Sequence, residues 1–331
     1  MDRQQLIHAW LENILPSQPF ALAPASADAS FRRYFRASFE DGTTRIIMDA
    51  PPSHEDCRPF LHVAELFRAA GAHVPQVFAQ DLDQGFLLLS DLGNTTYLSA
   101  LTPDNASTLY ADALGTLAAI QQTSRPGALP EYDRAHLLRE MMLFPDWYVA
   151  RHKEATLSNA EMADLLQVFE HILSVNLAEP KVFVHRDYHS RNLMLSAPNP
   201  GVLDFQDAVY GPLTYDLASL FKDAYIHWPE EQTLDWLVRY WEAARHIGLP
   251  VRADFSELHR DYEFMGAQRH LKVLGIFARL YHRDGKDGYL KDMPLVLHYL
   301  RRTCQRYREL RPLLKLLDRL DPEEVQIGYT F

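Results

Sequence analysis

Three polar residues near the middle of the chain have the types and spacing needed for phosphate chemistry. Asp187 is followed by Asn192 five residues later and by Asp204 twelve residues after that. Carboxylate and amide oxygens are the hard donors that Mg²⁺ prefers, and phosphate oxygens and water fill its remaining positions. We therefore predict that Asn192 and Asp204 hold Mg²⁺, while Asp187 accepts the proton of an attacking hydroxyl.

The residues around these three match the catalytic segment of kinases. His185-Arg186-Asp187 followed by Asn192 fits H-R-D-x-x-x-x-N, and Asp204 begins D-F-Q where D-F-G is expected. A polar loop explains each residue singly but not the joint pattern. The pattern of a protein kinase is incomplete, because G-x-G-x-x-G and A-P-E are missing and the segment from Asp207 to Tyr215 is too short for an activation loop.

Longer motifs narrow this interpretation by resemblance. The stretch D-F-Q-D-A-x-x-G-P-x-x-Y-D-L-A at 204–218 resembles the aminoglycoside phosphotransferase and choline kinase superfamily. Four further strings look like bacterial anomeric sugar kinases that phosphorylate N-acetylmuramate and N-acetylglucosamine at C1 in cell-wall recycling: A-S-x-D-A-S-F-R-R-Y-F-R at 25–36, M-D-A-P-P at 48–52, E-M-M-L-F-P-x-W-Y at 140–148 and L-K-V-L-G-I-F-A-R-L at 271–280.

The resemblance implies an activity and two supporting residues. The activity is transfer of the ATP γ-phosphate to the anomeric hydroxyl of an amino sugar, a phosphotransferase reaction with an alcohol group as acceptor. Asp216 would support the catalytic loop from the next helix, and His185 would brace the same loop through hydrogen bonds. A helix N-terminus also favours an aspartate at 216, so that simpler explanation stays open.

Hydrophobic periodicity predicts the elements that must position these residues. The first hundred residues read as an opening helix, antiparallel strands with a hairpin at Asp41-Gly42, and one further helix; from about residue 104 the period changes to 3.6. Predicted helices cover 2–15, 55–70, 104–122, 134–152, 159–177, 214–226, 231–247, 254–282, 293–306 and 308–320, with short β-type runs between 182 and 210. We predict an α+β, protein-kinase-like two-lobe fold, with a small antiparallel-sheet N-terminal lobe (1–92) that binds nucleotide and a large helical C-terminal lobe (93–331).

The resemblance also implies where ATP binds. The loop 26–31 would cover the phosphates with contacts from Ser30, Phe31 and Arg32, Ser90 and Leu92 would pair with adenine, and Met194 would lie under the base. A plain hairpin turn and core packing are the alternatives. Met48 stands where kinases place a phosphate-binding lysine, so Arg32, Arg33 or Arg45 replaces that charge or nucleotide binding differs.

Acceptor contacts are predicted in the helical lobe. Glu140, Trp147 and Tyr148 fall at i, i+7 and i+8, which places them on one face of the predicted helix 134–152. Aromatic faces and a carboxylate suit a sugar. Arg269 is a candidate to bind an acceptor carboxylate or N-acetyl carbonyl. A helix packed into the core, or a solvated helix face, explains the same residues.

Composition limits the possible partners and location. The 331 residues include 33 basic and 44 acidic side chains, a net charge of −11, which opposes binding to nucleic acid or an anionic membrane. Two distant cysteines favour a reducing cytoplasm. We expect a monomer whose partners are ATP and a small sugar. An aminoglycoside or choline-type kinase remains an alternative, as does a nucleotide-binding pseudokinase; the sugar, the anomer and the choice of ATP over GTP stay open.

Overall fold

Five antiparallel strands form the N-terminal sheet in the computed structural model, which describes residues 2–27 and 31–322. The strand order is β1-β2-β3-β5-β4. Gly42, with φ of +81°, lies in the turn between β2 and β3, a conformation that glycine adopts without strain. The strands are Phe20–Ala27 (β1), Arg33–Phe39 (β2), Thr44–Asp49 (β3), Val77–Asp81 (β4) and Phe86–Ser90 (β5).

Helix α1 packs against this sheet. Helix α1 spans Arg3–Ile14 and buries Ile7, Trp10 and Leu11. Their partners alternate along the strands because successive side chains point to opposite faces. Burying each large apolar side chain contributes about 1.5–3 kcal/mol. The buried cluster contains Ile7, Trp10, Leu11, Phe35, Ala37, Ile47, Phe86 and Leu88.

Helix α2 packs against Phe205 of the D-F-Q segment. It spans Arg58–Ala69, and its buried residues include Phe60 and Phe67. The ring of Phe205 lies 4.8 Å from that of Phe60 and 5.9 Å from that of Phe67, measured between centroids. Aromatic packing of this kind stabilises beyond the area buried, so it fixes Phe205, the neighbour of Asp204.

The remainder of the chain is mostly helical. Two short two-stranded sheets belong to this region: β6 (Lys181–Val184) pairs with β9 (Val209–Pro212) on either side of the catalytic segment, and β7 (Leu193–Met194) pairs with β8 (Gly201–Val202) within it. The helices are Tyr97–Ala100 (α3), Ala106–Gln122 (α4), Arg134–Met141 (α5), Asn159–Asn176 (α6), Tyr215–Phe221 (α7), Glu230–His246 (α8), Phe255–Asp284 (α9), Met293–Arg306 (α10) and Arg311–Leu320 (α11). Short 3₁₀ turns cover Asp287–Asp292 and Arg308–Leu310.

The prediction of one continuous α-helix over 134–152 is wrong. Helix α5 ends at Met141, and a π-helical segment runs from Phe144 to His152. Pro145 lacks the backbone N–H that a regular α-helical turn requires. Gly275 of α9 lies so close that a Cβ there would be 2.4 Å from the carbonyl carbon of Leu143, so a glycine is needed at this contact.

Residues group by their contacts into two compact units. The first comprises Met1–Ile120 with Arg191–Ala208, and the second comprises Gln121–Ser190 with Val209–Phe331. The α+β class, the antiparallel N-terminal sheet and the helical remainder are as predicted. The lobe boundary after residue 92 stays a prediction. None of the described helices combines the length and apolar character needed to cross a membrane.

Candidate active site

A cavity of about 410 Å³ lies within the first unit. Its apolar wall includes Leu89 and Leu92 from the predicted hinge and Met194 from β7. Leu92 and Met194 are both buried, and a Cβ on Gly201 would lie 2.9 Å from Leu92 Cδ1 and 3.2 Å from Met194 Cβ. Apolar side chains of this kind on a cavity wall are suited to contact a planar base.

Ser90 connects the hinge to the chain before β4. Its N–H donates to the Gln76 carbonyl at 2.8 Å, and its hydroxyl oxygen accepts from the Gln76 N–H at 2.9 Å. These bonds use the N–H and hydroxyl of Ser90, whereas the predicted adenine contact uses its carbonyl.

The polar end of the cavity contains Asn192 and Asp204. Asn192 Nδ2 lies 3.3 Å from Asp204 Oδ2, and the Leu203 N–H donates to the Asn192 carbonyl at 2.9 Å. Asp204 has φ of +62°, a left-handed conformation that is uncommon outside glycine and typical of strained functional positions.

Gln206 orients the Asp204 carboxylate. Its amide Nε2 donates to Asp204 Oδ1 at 2.7 Å. The residue is buried, and its Oε1 has no hydrogen-bond partner within the described part of the chain. Two adjacent oxygen-donor side chains with a buried acceptor beside them fit the ligand chemistry of Mg²⁺.

The arginines of the sheet differ in what they contact, which bears on the missing strand lysine. Met48 is fully buried in β3. Arg33 donates to Asp49 Oδ2 through Nε at 3.0 Å and Nη2 at 2.5 Å, and Arg45 lies over the Phe78 ring at 4.4 Å. Arg33 and Arg45 are thus engaged with the sheet.

Arg32 has a different environment. Its Nη2 donates to Glu55 Oε2 at 3.0 Å. Burial lowers the pKa of Arg32, but the charges of Tyr34, Glu55 and Asp207 together raise it. Phe31 is 65% exposed and its ring stacks on His54 at 4.7 Å. Ser30 lies outside the described residues.

In the second unit, one carboxylate holds the start of the catalytic loop. Asp216 in α7 accepts from the His185 N–H at 2.7 Å and from the Arg186 N–H at 3.0 Å. The Asp187 N–H donates to His185 Nδ1 at 3.2 Å. Arg186 has φ of +79°, and the Asp216 bonds stabilise this left-handed residue. The contacts are consistent with the supporting roles predicted for Asp216 and His185.

Burial governs the charge of Asp216. Desolvation raises the pKa of this carboxyl to about 7, although its two backbone donors act in the opposite direction. A buried carboxylate with two N–H donors is a rigid anchor, because removing it leaves those donors unsatisfied.

The Asp187 carboxylate remains accessible and is surrounded by cations. Its side chain is 39% exposed, and Arg269 Nη1 lies 3.9 Å from Oδ1. Burial raises its pKa, but Lys272, Arg269, His189 and Arg186 outweigh burial and hold the pKa well below the usual range. Asp187 therefore stays ionised at neutral pH. A carboxylate of this kind orients a hydroxyl better than it stores a proton.

The predicted acceptor residues lie in less open positions. Glu140 is buried and forms bonds with Arg186, Lys272, Tyr132 and Gln268. Its burial favours the core-packing alternative.

The two aromatic candidates do not share a regular α-helical face with Glu140. Tyr148 is fully buried, and its hydroxyl donates to Asp321 Oδ2 at 2.7 Å. Trp147 is half-buried in the π-helical segment. The shared-face prediction is wrong because the α-helix ends at Met141. Arg269, the remaining predicted acceptor residue, lies near Asp187.

Several residues at these sites escaped the sequence analysis. Lys272 is a charged residue in the apolar run 271–280, and that isolation was a usable signal of a buried ion pair. Asp223 accepts from the Ser190 N–H at 3.0 Å and from its hydroxyl at 2.5 Å. Glu55 and Gln206 carry no comparable signal, because their partners are set by the fold.

Comparison with known proteins identifies the family. A sequence model of the phosphotransferase enzyme family matches residues 21–257. The chain belongs to this family. The resemblance drawn from the motifs is thereby confirmed, and the kinase transfers phosphate from ATP to a small-molecule hydroxyl.

Similar proteins support the same assignment. A protein from Neisseria meningitidis serogroup B, named N-acetylmuramate/N-acetylglucosamine kinase, is 51% identical over 336 residues, covering 100% of both chains. A protein of the same name from Pseudomonas aeruginosa is 50% identical, covering 95% of this chain and 96% of its own. The crystal structure of a choline kinase from Streptococcus pneumoniae aligns with a TM-score of 0.62 at 13% identity, covering 91% and 99%, which shows a shared fold.

Proposed function

We propose that this kinase phosphorylates the anomeric C1 hydroxyl of N-acetylmuramate or N-acetylglucosamine, as a step of cell-wall recycling in the cytoplasm. The observation that carries the proposal is 51% identity along the whole length of a protein named for both sugars. We further propose that it acts as a monomer, with lobes 1–92 and 93–331, and without nucleic acid or membrane as partner.

The residue roles follow the chemistry of phosphoryl transfer. Asn192 and Asp204 bind Mg²⁺, and Gln206 orients the Asp204 carboxylate. The bound ion supplies positive charge to the phosphates. Asp187 orients the acceptor hydroxyl and receives its proton. A C1 hydroxyl is more acidic than an ordinary alcohol, so the low pKa of Asp187 suffices.

ATP is held along the cavity of the first unit. Leu92 and Met194 contact the adenine, and the Ser90 carbonyl pairs with it. Ser30, Phe31 and Arg32 contact the phosphates. Arg32, which directly follows the loop 26–31, also supplies the charge missing at Met48; Arg33 is bonded to Asp49, and Arg45 lies over the Phe78 ring.

The charge around Asp187 favours a neutral or anionic acceptor over a cationic one. Arg269 lies beside the carboxylate, and Arg186 and Lys272 contribute to the same field. A polycationic aminoglycoside or a choline ammonium group would be repelled by these groups. An acceptor with a carboxylate or an N-acetyl carbonyl suits Arg269. The pseudokinase alternative rests on Met48 alone.

An acceptor panel tests the proposal. The purified protein is incubated with ATP and Mg²⁺ and with each of N-acetylmuramate, N-acetylglucosamine, kanamycin and choline, and the product is assigned by NMR. We expect phosphate on C1 of the amino sugars and no turnover of the amines. The Asp187→Asn variant should still bind ATP but lose turnover. Phosphorylation of kanamycin or choline in preference to both sugars would contradict the proposal.

A further inference from the structure

Lys272 is buried in α9 within a network of opposite charges. The residue is 5% exposed. Its Nζ lies 3.3 Å from Glu140 Oε1 and donates to the Tyr215 hydroxyl at 2.9 Å. A buried ammonium group is costly unless it is paired and hydrogen-bonded, and these contacts provide both conditions.

Glu140 links Lys272 to the catalytic loop. Glu140 Oε1 also accepts from Arg186 Nη2 at 2.5 Å, so one carboxylate oxygen joins the two cations. The Tyr132 hydroxyl and Gln268 Nε2 donate to the other oxygen. Burial raises the pKa of Glu140, but Lys272 and Arg186 lower it to about 2, so the carboxylate is charged at neutral pH.

Arg186 is held at both its side chain and its backbone. Glu140 accepts from the guanidinium, while Asp216 accepts from the backbone N–H at 3.0 Å. Since Arg186 precedes Asp187 and has φ of +79°, these two carboxylates fix the direction in which the chain presents Asp187. A residue other than glycine keeps a left-handed backbone conformation when the surrounding contacts hold it there.

The network combines buried cations with carboxyl groups. Arg186, Arg269 and Lys272 supply three cations, and the carboxylates are those of Glu140, Asp187 and Asp216. Without Lys272, the negative charges of Glu140 and Asp187 would have one neighbouring cation fewer. Both would then compete for Arg186, and the loop would lose its defined orientation.

We infer that Lys272 is a positioning residue: through Glu140 it fixes Arg186, and it thereby sets the placement of Asp187 for phosphoryl transfer. The inference rests on the proposed role of Asp187 but not on the identity of the sugar. Lys272 is buried, so it acts through these partners and does not itself touch the phosphate.

The test separates positioning from stability by steady-state kinetics. In Lys272→Met, kcat should fall about 100-fold, because a misplacement of about 1 Å costs that much, while KM for ATP changes less than about threefold. Lys272→Arg keeps the charge and should recover most of the loss. Wild-type kcat in Lys272→Met would overturn the inference.

Lys222→Met is the matched control. Lys222 follows the last residue of α7 and is 7% exposed, and its Nζ pairs with Glu263 Oε1 of α9, the helix that contains Lys272, at 2.8 Å. We expect it to lower Tm as Lys272→Met does, with kcat per folded molecule retained. If the two variants lose the same kcat, the effect of Lys272 is on stability only and the inference is wrong.

Glu140→Gln keeps the test decisive if Lys272→Met does not fold. It removes the linking charge without changing volume, and it should lower kcat with little change in KM for ATP. The double variant Lys272→Met/Glu140→Gln should lose no more kcat than either single variant, since both substitutions break the same link. Additive losses of kcat would overturn the inference. The acceptor is whichever compound the panel identifies, so failure with both sugars would reject the proposed function and leave this comparison intact.

Discussion

Arg36 of β2 donates two parallel hydrogen bonds to Asp91 of the predicted hinge. Nε donates to Oδ2 at 2.5 Å and Nη2 donates to Oδ1 at 3.1 Å. Nη2 also donates to the Gly93 carbonyl at 3.3 Å. Bidentate pairs of this type impose geometry as well as attraction. The pair therefore fixes the hinge against the sheet at the wall of the cavity.

Breaking this pair should weaken nucleotide binding. In Arg36→Met the hinge loses its anchor, and we expect KM for ATP to rise about tenfold, which corresponds to about 1.4 kcal/mol, with kcat changed less than about twofold. Titration calorimetry with ATP measures the same loss directly. Asp91→Asn retains shape and should show a smaller effect. Unchanged ATP affinity in Arg36→Met would show that the hinge holds its shape without the pair.

Arg32 and Arg33 offer a matched comparison for the missing lysine. A charged hydrogen bond contributes about 1.5–3 kcal/mol, so Arg32→Met should raise KM for ATP at least about tenfold. Arg33→Met removes an equal charge, but Asp49 keeps a bond from Arg3 Nε at 3.0 Å, and KM should stay within about twofold. The opposite ranking would assign the phosphate contact to Arg33.

Gln206 should tune the metal requirement. Its amide holds Asp204 Oδ1 at 2.7 Å, and loss of such an outer partner typically costs 10–100-fold in metal affinity. We expect Gln206→Leu to raise the Mg²⁺ concentration for half-maximal activity about tenfold, with activity recovered at high Mg²⁺. Asp204→Asn should not recover. A Mg²⁺ titration that superimposes on the wild type would exclude this role.

Glu179 should make stability fall with rising pH. Burial, reinforced by Asp261, raises its pKa from 4.5 to about 8, although the Thr214 N–H and hydroxyl donate to Oε2 and act in the other direction. A raised folded-state pKa means that the protonated group stabilises the fold fully below about pH 4.5, and that this is lost as the pH passes 8.

Glu179→Gln isolates that contribution. The amide resembles the protonated carboxyl, so the variant should be more stable than the wild type near pH 9 and similar near pH 5. Urea unfolding across this range measures the difference. A constant difference at all pH values would mean that Glu179 does not titrate there.

Hydrophobic periodicity predicted the strands and most helices, because apolar side chains recur with a different period in each kind of element. Helix α9 was predicted over 254–282, within two residues of each of its ends. The π-helical segment was missed, since Pro145 signals a disruption but not its geometry.

Contacts between residues far apart in the sequence were the other feature that local pattern could not predict. Glu140 and Arg186 are 46 positions apart, and Arg36 and Asp91 are 55 apart. A carboxylate on an amphipathic helix looks the same in sequence whether it faces a ligand or an internal arginine. Asp187, Asn192 and Asp204 were recognisable because their spacing along one short segment is itself the signal.

The grouping of Arg191–Ala208 with the N-terminal unit has a practical consequence for the design of truncated fragments. A fragment truncated at Ile120 would carry the sheet and the hinge but lack Met194, Asn192 and Asp204. Such a fragment should expose the apolar surface that β7 and β8 normally cover and tend to aggregate. An autonomous nucleotide-binding module therefore cannot be obtained by cutting this polypeptide once.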